Sequence, residues 1–319
     1  MDGYRFWQSV LEAFLCGMEK QFTKMRELTG GDSVFCLNLC EILTPAFLGQ
    51  EKPEELISKV VKENQITEPL ERIYAGSSFC SQYFLHLSCW DALFDWCREN
   101  GWNLTVTLPV FSQKDLKKGK ERIGEILEKG KDVADEVTVN DFGMLKYMSD
   151  QFDIRINLGR LFFKDARDVR VRPYQEGEMT PNLLSCRDDF MEGNDKIRGV
   201  EIDPTNRYID LRNCDLDGID LGIHSPFCYM TTGNICKFAS IHAAVEEKFR
   251  PNAPCHMECA GIYEHYREKF DGRNADLIRY GRTVYFYNNG SRIAGKKIDR
   301  KIYFPVLEME EQKKGGKKG

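Results

Sequence analysis

The chain has 319 residues, 42% of them hydrophobic and 30% charged, with a net charge of −5. Such a composition is that of a soluble globular protein long enough to bury a core without covalent staples. The acidic balance excludes a broad nucleic-acid-binding surface and leaves room only for a local basic patch. Length alone admits either one large α/β barrel or two medium domains.

The first residues place Phe6, Trp7, Val10, Leu11, Phe14, Leu15 and Met18 on one helical face, with acids at Asp2, Glu12 and Glu19. That spacing predicts an amphipathic helix and not an exported leader. No apolar run reaches the ~18 residues that cross a bilayer. Twelve cysteines in a large chain of this kind point to reduced thiols and a cytoplasmic location, where clustered cysteines bind metals or catalyse before they form disulfides. Residues 1–65 read as a mainly helical extension, broken at Thr29-Gly30-Gly31-Asp32. Within it, Cys36 and Cys40 would share a helix face, but their apolar neighbours favour two core cysteines over a ligand pair.

From Glu71 onward, strands and helices alternate. The stretches around Arg72–Ala75, LTVTLPVF, EVTVND, IRINLGR, RGVEIDP, IDLRNC and IDLGIHSPF are strand-like. Between them lie helical patterns, one carrying Leu85, Trp90, Leu93, Phe94 and Cys97, one over Lys114–Lys131, and one in GMLKYMSDQF. The segment from Arg167 to Asp195, rich in Arg, Pro and Asp, reads as a long excursion. Alternation of this kind predicts right-handed βα units and a parallel sheet. Cys80, Asn140-Asp141, Gly159-Arg160, Glu201 and Cys228–Cys236 all fall at strand ends, which converge on one face of a (β/α) barrel. A doubly wound sheet would gather strand ends too, but no Gly-x-Gly-x-x-Gly and no Walker loop follows the early strands. The expected fold is therefore a parallel, TIM-like (β/α) barrel, modified, spanning residues 66–275. A C-terminal β-hairpin cap formed by TVYFYNN and KIYFPVLEM (residues 276–311) and a disordered basic tail (residues 312–319) complete the expected domain plan.

The stretch Ser225–Cys259 carries the strongest chemical signal. Cys236 follows a Thr-Thr-Gly turn, and Cys255 and Cys259 form a Cys-x3-Cys pair. Three thiolates suited to soft metals or iron–sulfur clusters want a fourth ligand from elsewhere. From spacing alone, zinc and a cluster are equally good occupants.

The succession IYAGSSFCSQ, VTVNDFGML, INLGRLF, GVEIDP and YMTTGNIC…CHMEC resembles the collagenase-like peptidase family U-32, over about Glu71 to Cys259. In its iron–sulfur branch it is similar to the oxygen-independent ubiquinone-biosynthesis hydroxylase proteins. The resemblance implies a barrel domain and a 4Fe–4S cluster held by Cys80, Cys236, Cys255 and Cys259, with Cys186 or Cys228 as alternatives to Cys80. It also implies an enzyme that hydroxylates or otherwise modifies an aromatic or nucleobase substrate without oxygen. A peptidase, or a non-catalytic iron–sulfur subunit working with a homologous partner chain, are the alternatives.

Asn140, Asp141 and Glu201 are the candidate catalytic residues, and Arg160 and His224 the candidate substrate-binding ones. Each also has a plainer reading. Asn-Asp caps the helix that opens at Phe142. Arg160, Arg170 and Arg172 pair with Asp165 and Asp168. Glu201 and Asp203, two apart on a strand, share a face, so that one of them holds a nearby arginine. His224 is equally suited to acid–base work and to a structural role, and His256 is a solvated loop residue before it is a ligand. No Ser/His/Asp order and no His-Glu-x-x-His motif is present, which weakens a peptidase mechanism.

Overall fold

Short apolar runs that alternate with single polar residues make the strands of this protein, whose computed structural model describes residues 33–40, 53–63, 66–162, 193–203, 209–212, 214, 216–259, 263–270, 273–287 and 293–305. In chain order these give β1 (Val34–Asn38), α1 (Pro53–Glu63), β2 (Arg72–Gly76), α2 (Ser81–His86), α3 (Trp90–Asn100), β3 (Asn103–Thr107), α4 (Leu116–Lys129), β4 (Ala134–Val139), α5 (Phe142–Gln151) and β5 (Arg155–Leu158). Then come β6 (Ile197–Ile202), β7 (Ile209–Asp210), β8 (Asp220–Ser225), β9 (Phe227–Thr232), β10 (Tyr263–Phe270), β11 (Arg273–Tyr280), β12 (Thr283–Tyr287), β13 (Ile293–Ala294) and β14 (Arg300–Tyr303).

Eight strands close into a barrel in the order β1-β14-β8-β6-β5-β4-β3-β2, and every pairing in it is parallel. The expected parallel (β/α) barrel is thus the fold. Side chains alternate across each strand. One set, including Ile73, Ala75, Val106, Val137, Val139, Ile156, Leu158, Val200 and Leu221, joins Leu93, Phe94, Ile123, Ile126 and Met148 of the helices in the main apolar core. The other set points into the barrel and is unusually polar: Arg72, Thr105, Glu136, Thr138, Asn157, Glu201, His224 and Arg300 are all buried. Barrels of this class usually fill that space with branched apolar residues.

Two expectations are corrected. Residues 34–38 are not helical but form β1, pairing with β14 on one side and β2 on the other, so the supposed extension supplies the first barrel strand. The VFCLNLC run is too short for its periodicity to separate strand from helix, and the barrel's need for an eighth strand decides it. The C-terminal hairpin is not formed either. The TVYFY stretch (β12) pairs antiparallel with β11 and β9, whereas β14 lies between β1 and β8 in the barrel. The four-stranded sheet β10-β11-β12-β9 was not anticipated; it is inserted between the last two barrel strands in sequence, β8 and β14. The expected amphipathic helix of the first residues, Arg170, Arg172, Asp165, Asp168, Cys186, the Asn288–Ser291 stretch and the basic tail lie outside the described residues. No helix among the described residues is long and apolar enough to cross a membrane.

Candidate functional site

The loop after β2 is shaped by its sequence. Gly76 has φ +114°, and a side chain there would put a Cβ 2.3 Å from the carbonyl oxygen of Thr107, so only glycine lets the strands approach. Ser77 Oγ then accepts bonds from the amides of Phe79 (3.2 Å) and Cys80 (2.8 Å). Arg282, in the turn between β11 and β12, donates from Nε (2.7 Å) and Nη2 to the carbonyl oxygen of Phe79. The Phe79 ring packs on Tyr229 and Tyr285, with centroids 4.9 and 6.0 Å away. The inserted sheet therefore grips the residue next to Cys80.

Beyond β9, Ser240 Oγ donates to the carbonyl oxygen of Cys236 (3.1 Å) and accepts from the amide of Phe249 (2.9 Å), folding the loop on itself. Met257, at φ +62°, turns its amide to within 3.4 Å of Cys255 Sγ. The result is that Cys80, Cys236, Cys255 and Cys259 meet in one cluster with Tyr83, Phe238 and Met257. Burial pushes the Cys255 thiol up to about 11 and Cys259 higher still, with the neighbouring thiols adding to both. Cys228, one alternative fourth ligand, packs instead with Leu277, Val284 and Phe286 under the sheet. Cys36 and Cys40 pack with Tyr74 and Ile302. His256 is exposed, its amide donating to Glu258.

Among the described residues, no group of three or more His, Cys, Asp or Glu side chains is arranged to hold a metal ion as it stands. A lone zinc needs four sulfurs about 2.3 Å from one centre. An all-cysteine set in an apolar wall, with a backbone amide aimed at one sulfur, is the donor type that an iron–sulfur cluster takes. By that chemistry the four cysteines fit such a cluster.

Beneath this corner lies an ion pair. Asp203 accepts from Arg160 Nε at 2.9 and 3.1 Å and from Nη2, and also from the amide of Tyr229 at 3.3 Å. The guanidinium sits 5.3–5.8 Å from the centroids of Phe79, Tyr229 and Tyr285, an aromatic surround that favours a cation. Arg160 is 1% exposed and Asp203 0%. The partner of Arg160 is thus Asp203, the acid just past the end of β6 and two residues from Glu201. Its fork is engaged before any substrate arrives.

Asn140 is equally committed: Nδ2 donates to the carbonyl oxygen of Leu108 (3.0 Å), and Oδ1 accepts from the amide of Leu161 (3.3 Å). Asp141 caps α5, its Oδ1 accepting from the amide of Met144 at 2.9 Å, worth about 1 kcal/mol to the helix.

Glu201 and His224 are brought together. His224 Nε2 lies 2.9 Å from Glu201 Oε2, and Thr138 donates to Glu201 Oε1 at 2.5 Å. Burial pushes the Glu201 carboxyl up to about 7; the Thr138 bond opposes this, Glu136 adds to it, and Arg300 and Arg160 oppose it. Deeper in the barrel, Glu136 accepts from Thr105 (2.6 Å), Asn157 (3.0 Å) and Arg300, with Arg72 at 3.3 Å. Burial opposes its charge, but the two arginines outweigh that and hold the carboxyl below its ordinary range.

The contrast gives a test. Between the ordinary value of 4.5 and about 7 the folded chain keeps a proton on Glu201 that the unfolded chain has released. Stability contributed by Glu201 is thus present at low pH and lost as pH rises through that window, by about 3 kcal/mol. Denaturant unfolding of Glu201→Gln at a series of pH values should show this decline flattened relative to the parent. Parallel curves would refute it.

Sequence reasoning missed Asn38, Tyr74, Glu136 and Arg300, which complete the polar interior. A signal was present: lone polar residues at alternate positions, as in Glu136-x-Thr138-x-Asn140, mark an inward face. No family model matches the chain, and no curated protein matches its sequence.

Proposed function

We propose that this chain is a cytoplasmic 4Fe–4S enzyme of the U-32-like kind, in which Cys80, Cys236, Cys255 and Cys259 hold the cluster. The observation that carries the reading is their convergence: thiols from the β2–α2 loop and from two parts of the loop between β9 and β10 share one apolar cluster at the barrel's C-terminal end. When bound, a cluster of this kind supplies one-electron redox chemistry. Oxygen-independent hydroxylation or a related modification of an aromatic or nucleobase substrate is the reaction class that suits it, with a homologous chain as a candidate partner.

The chain's own residues divide the remaining work. Glu201 and His224 form the acid–base side, because they alone among the candidates pair two titratable groups. Arg160, Asp203, Phe79, Tyr229 and Tyr285 make a buried floor that begins two residues from Glu201 and reaches the residue next to Cys80. Asn140 and Asp141 hold the loops that follow β4 and β5 in place.

Anaerobic purification followed by a visible spectrum and iron and sulfide analysis tests the proposal. Iron and sulfide in equal amounts with broad visible absorption are expected. A colourless protein with stoichiometric zinc would sink it, and peptide hydrolysis by iron-stripped protein would favour the peptidase alternative.

A further inference from the structure

The amide of Asn38 can be oriented without ambiguity. Its Oδ1 accepts from the backbone amide of Cys40 at 3.0 Å, so its NH2 group is the one that faces His224 Nδ1, at 3.5 Å. An amide nitrogen has no lone pair to offer. The ring nitrogen opposite it must therefore present its own lone pair and carry no proton. The one ring proton then sits on Nε2, 2.9 Å from Glu201 Oε2.

We propose that Asn38 is a positioning residue that fixes His224 as its neutral Nε2–H tautomer, so that the proton this buried pair exchanges is carried by Glu201. Protonating Nδ1 would set an N–H against an N–H2 group in a site where Asn38 and His224 are each 1% exposed. An incoming proton goes to Glu201 Oε1 instead, the hydroxyl of Thr138 turning from donor to acceptor, and the ring stays unchanged. On release the carboxylate regains its bond from Thr138. Among the groups facing the pair are Thr138 and Glu136 from β4, Arg300 from β14, Arg160 after β5, the Cys36 thiol from β1 and Tyr74 from β2, whose ring meets that of His224 edge-on at 6.3 Å. Burial, with Glu136 adding to it, keeps the Glu201 carboxyl easy to protonate, in line with this assignment. The inference rests on the reading of Glu201 and His224 as the acid–base side, and on nothing about the cysteines.

Long-range proton–nitrogen correlation NMR of the full chain labelled at histidine tests it, with His224 assigned by the signals lost in His224→Gln. The expected result is an unprotonated Nδ1 and a protonated Nε2 throughout about pH 5 to 8, where an ordinary histidine titrates. Glu201→Gln should keep this tautomer, because Asn38 and not the carboxylate dictates it. Asn38→Asp keeps an acceptor for Cys40 but turns an acceptor towards Nδ1. The ring should then become an imidazolium, its midpoint rising by roughly one to three pH units. An Nδ1–H tautomer or an imidazolium at neutral pH in the parent overturns the proposal, as does a switch in Glu201→Gln. A folded Asn38→Asp with an unaltered ring also overturns it. If Asn38→Asp does not fold, the parent and Glu201→Gln spectra decide. Iron analysis is untouched by any of these outcomes, so failure here is distinguishable from failure of the cluster.

Discussion

Asp203→Ala should destabilise the protein by about 3–5 kcal/mol, among the largest losses any single substitution here would cause. Removing one partner of a buried ion pair leaves the other charged, desolvated and unpaired. Arg160 would keep its aromatic surround but lose the carboxylate that meets Nε and Nη2. Urea unfolding followed by fluorescence measures the change, since Tyr229 and Tyr285 report on the same corner. Replacing both residues together, Arg160→Met with Asp203→Leu, should restore much of the loss, because apolar groups of similar volume do not need each other's charge. A cost under about 1 kcal/mol for the single substitution would mean that water reaches the guanidinium and that the floor is less closed than its geometry indicates.

Cys259→Ala and Cys80→Ala should each abolish stoichiometric iron binding, while Cys228→Ala should retain it. The first two thiols belong to the shared cluster with Cys236 and Cys255, and the third belongs to the packing under the sheet. Iron and sulfide per chain after anaerobic purification separate the cases. Both iron-free variants should still unfold cooperatively, since the main core between strands and helices includes none of the four thiols. Full iron retention in Cys80→Ala would move the fourth ligand to another residue. Loss in Cys228→Ala would make the sheet's underside part of the site.

What the sequence revealed follows a physical line. Strands such as β4 and β6 were legible because each alternates apolar and polar residues and ends in a turn or cap, a local signal. The pairing of β14 was not. KIYFPV and TVYFY are both β-rich, and the Asn-Asn-Gly-Ser run between them invites a hairpin. What places β14 in the barrel is non-local: it lines up with β1 and β8, and Arg300 crosses the interior to Glu136. The cysteine set shows the same division. Cys255 and Cys259 signal each other by spacing, but Cys80 meets them through tertiary packing, with Arg282 of the inserted sheet gripping Phe79 beside it. Asn38 escaped notice because one polar residue in an apolar run has no partner visible in sequence. Its partner, His224, lies far along the chain.

The placement of β14 also bears on how the protein is made. The strand that seals the barrel is the last one in sequence, and it must slot between two already synthesised strands, β8 and β1. Until residues 300–303 leave the ribosome, β1 and β8 each present an unpaired edge. Glu136 waits over the same interval without the guanidinium of Arg300. A chain ended just before Arg300 should therefore emerge as an open, association-prone sheet, recovered with chaperones or in aggregates. A sequence cut after Phe304 would have every barrel strand in hand.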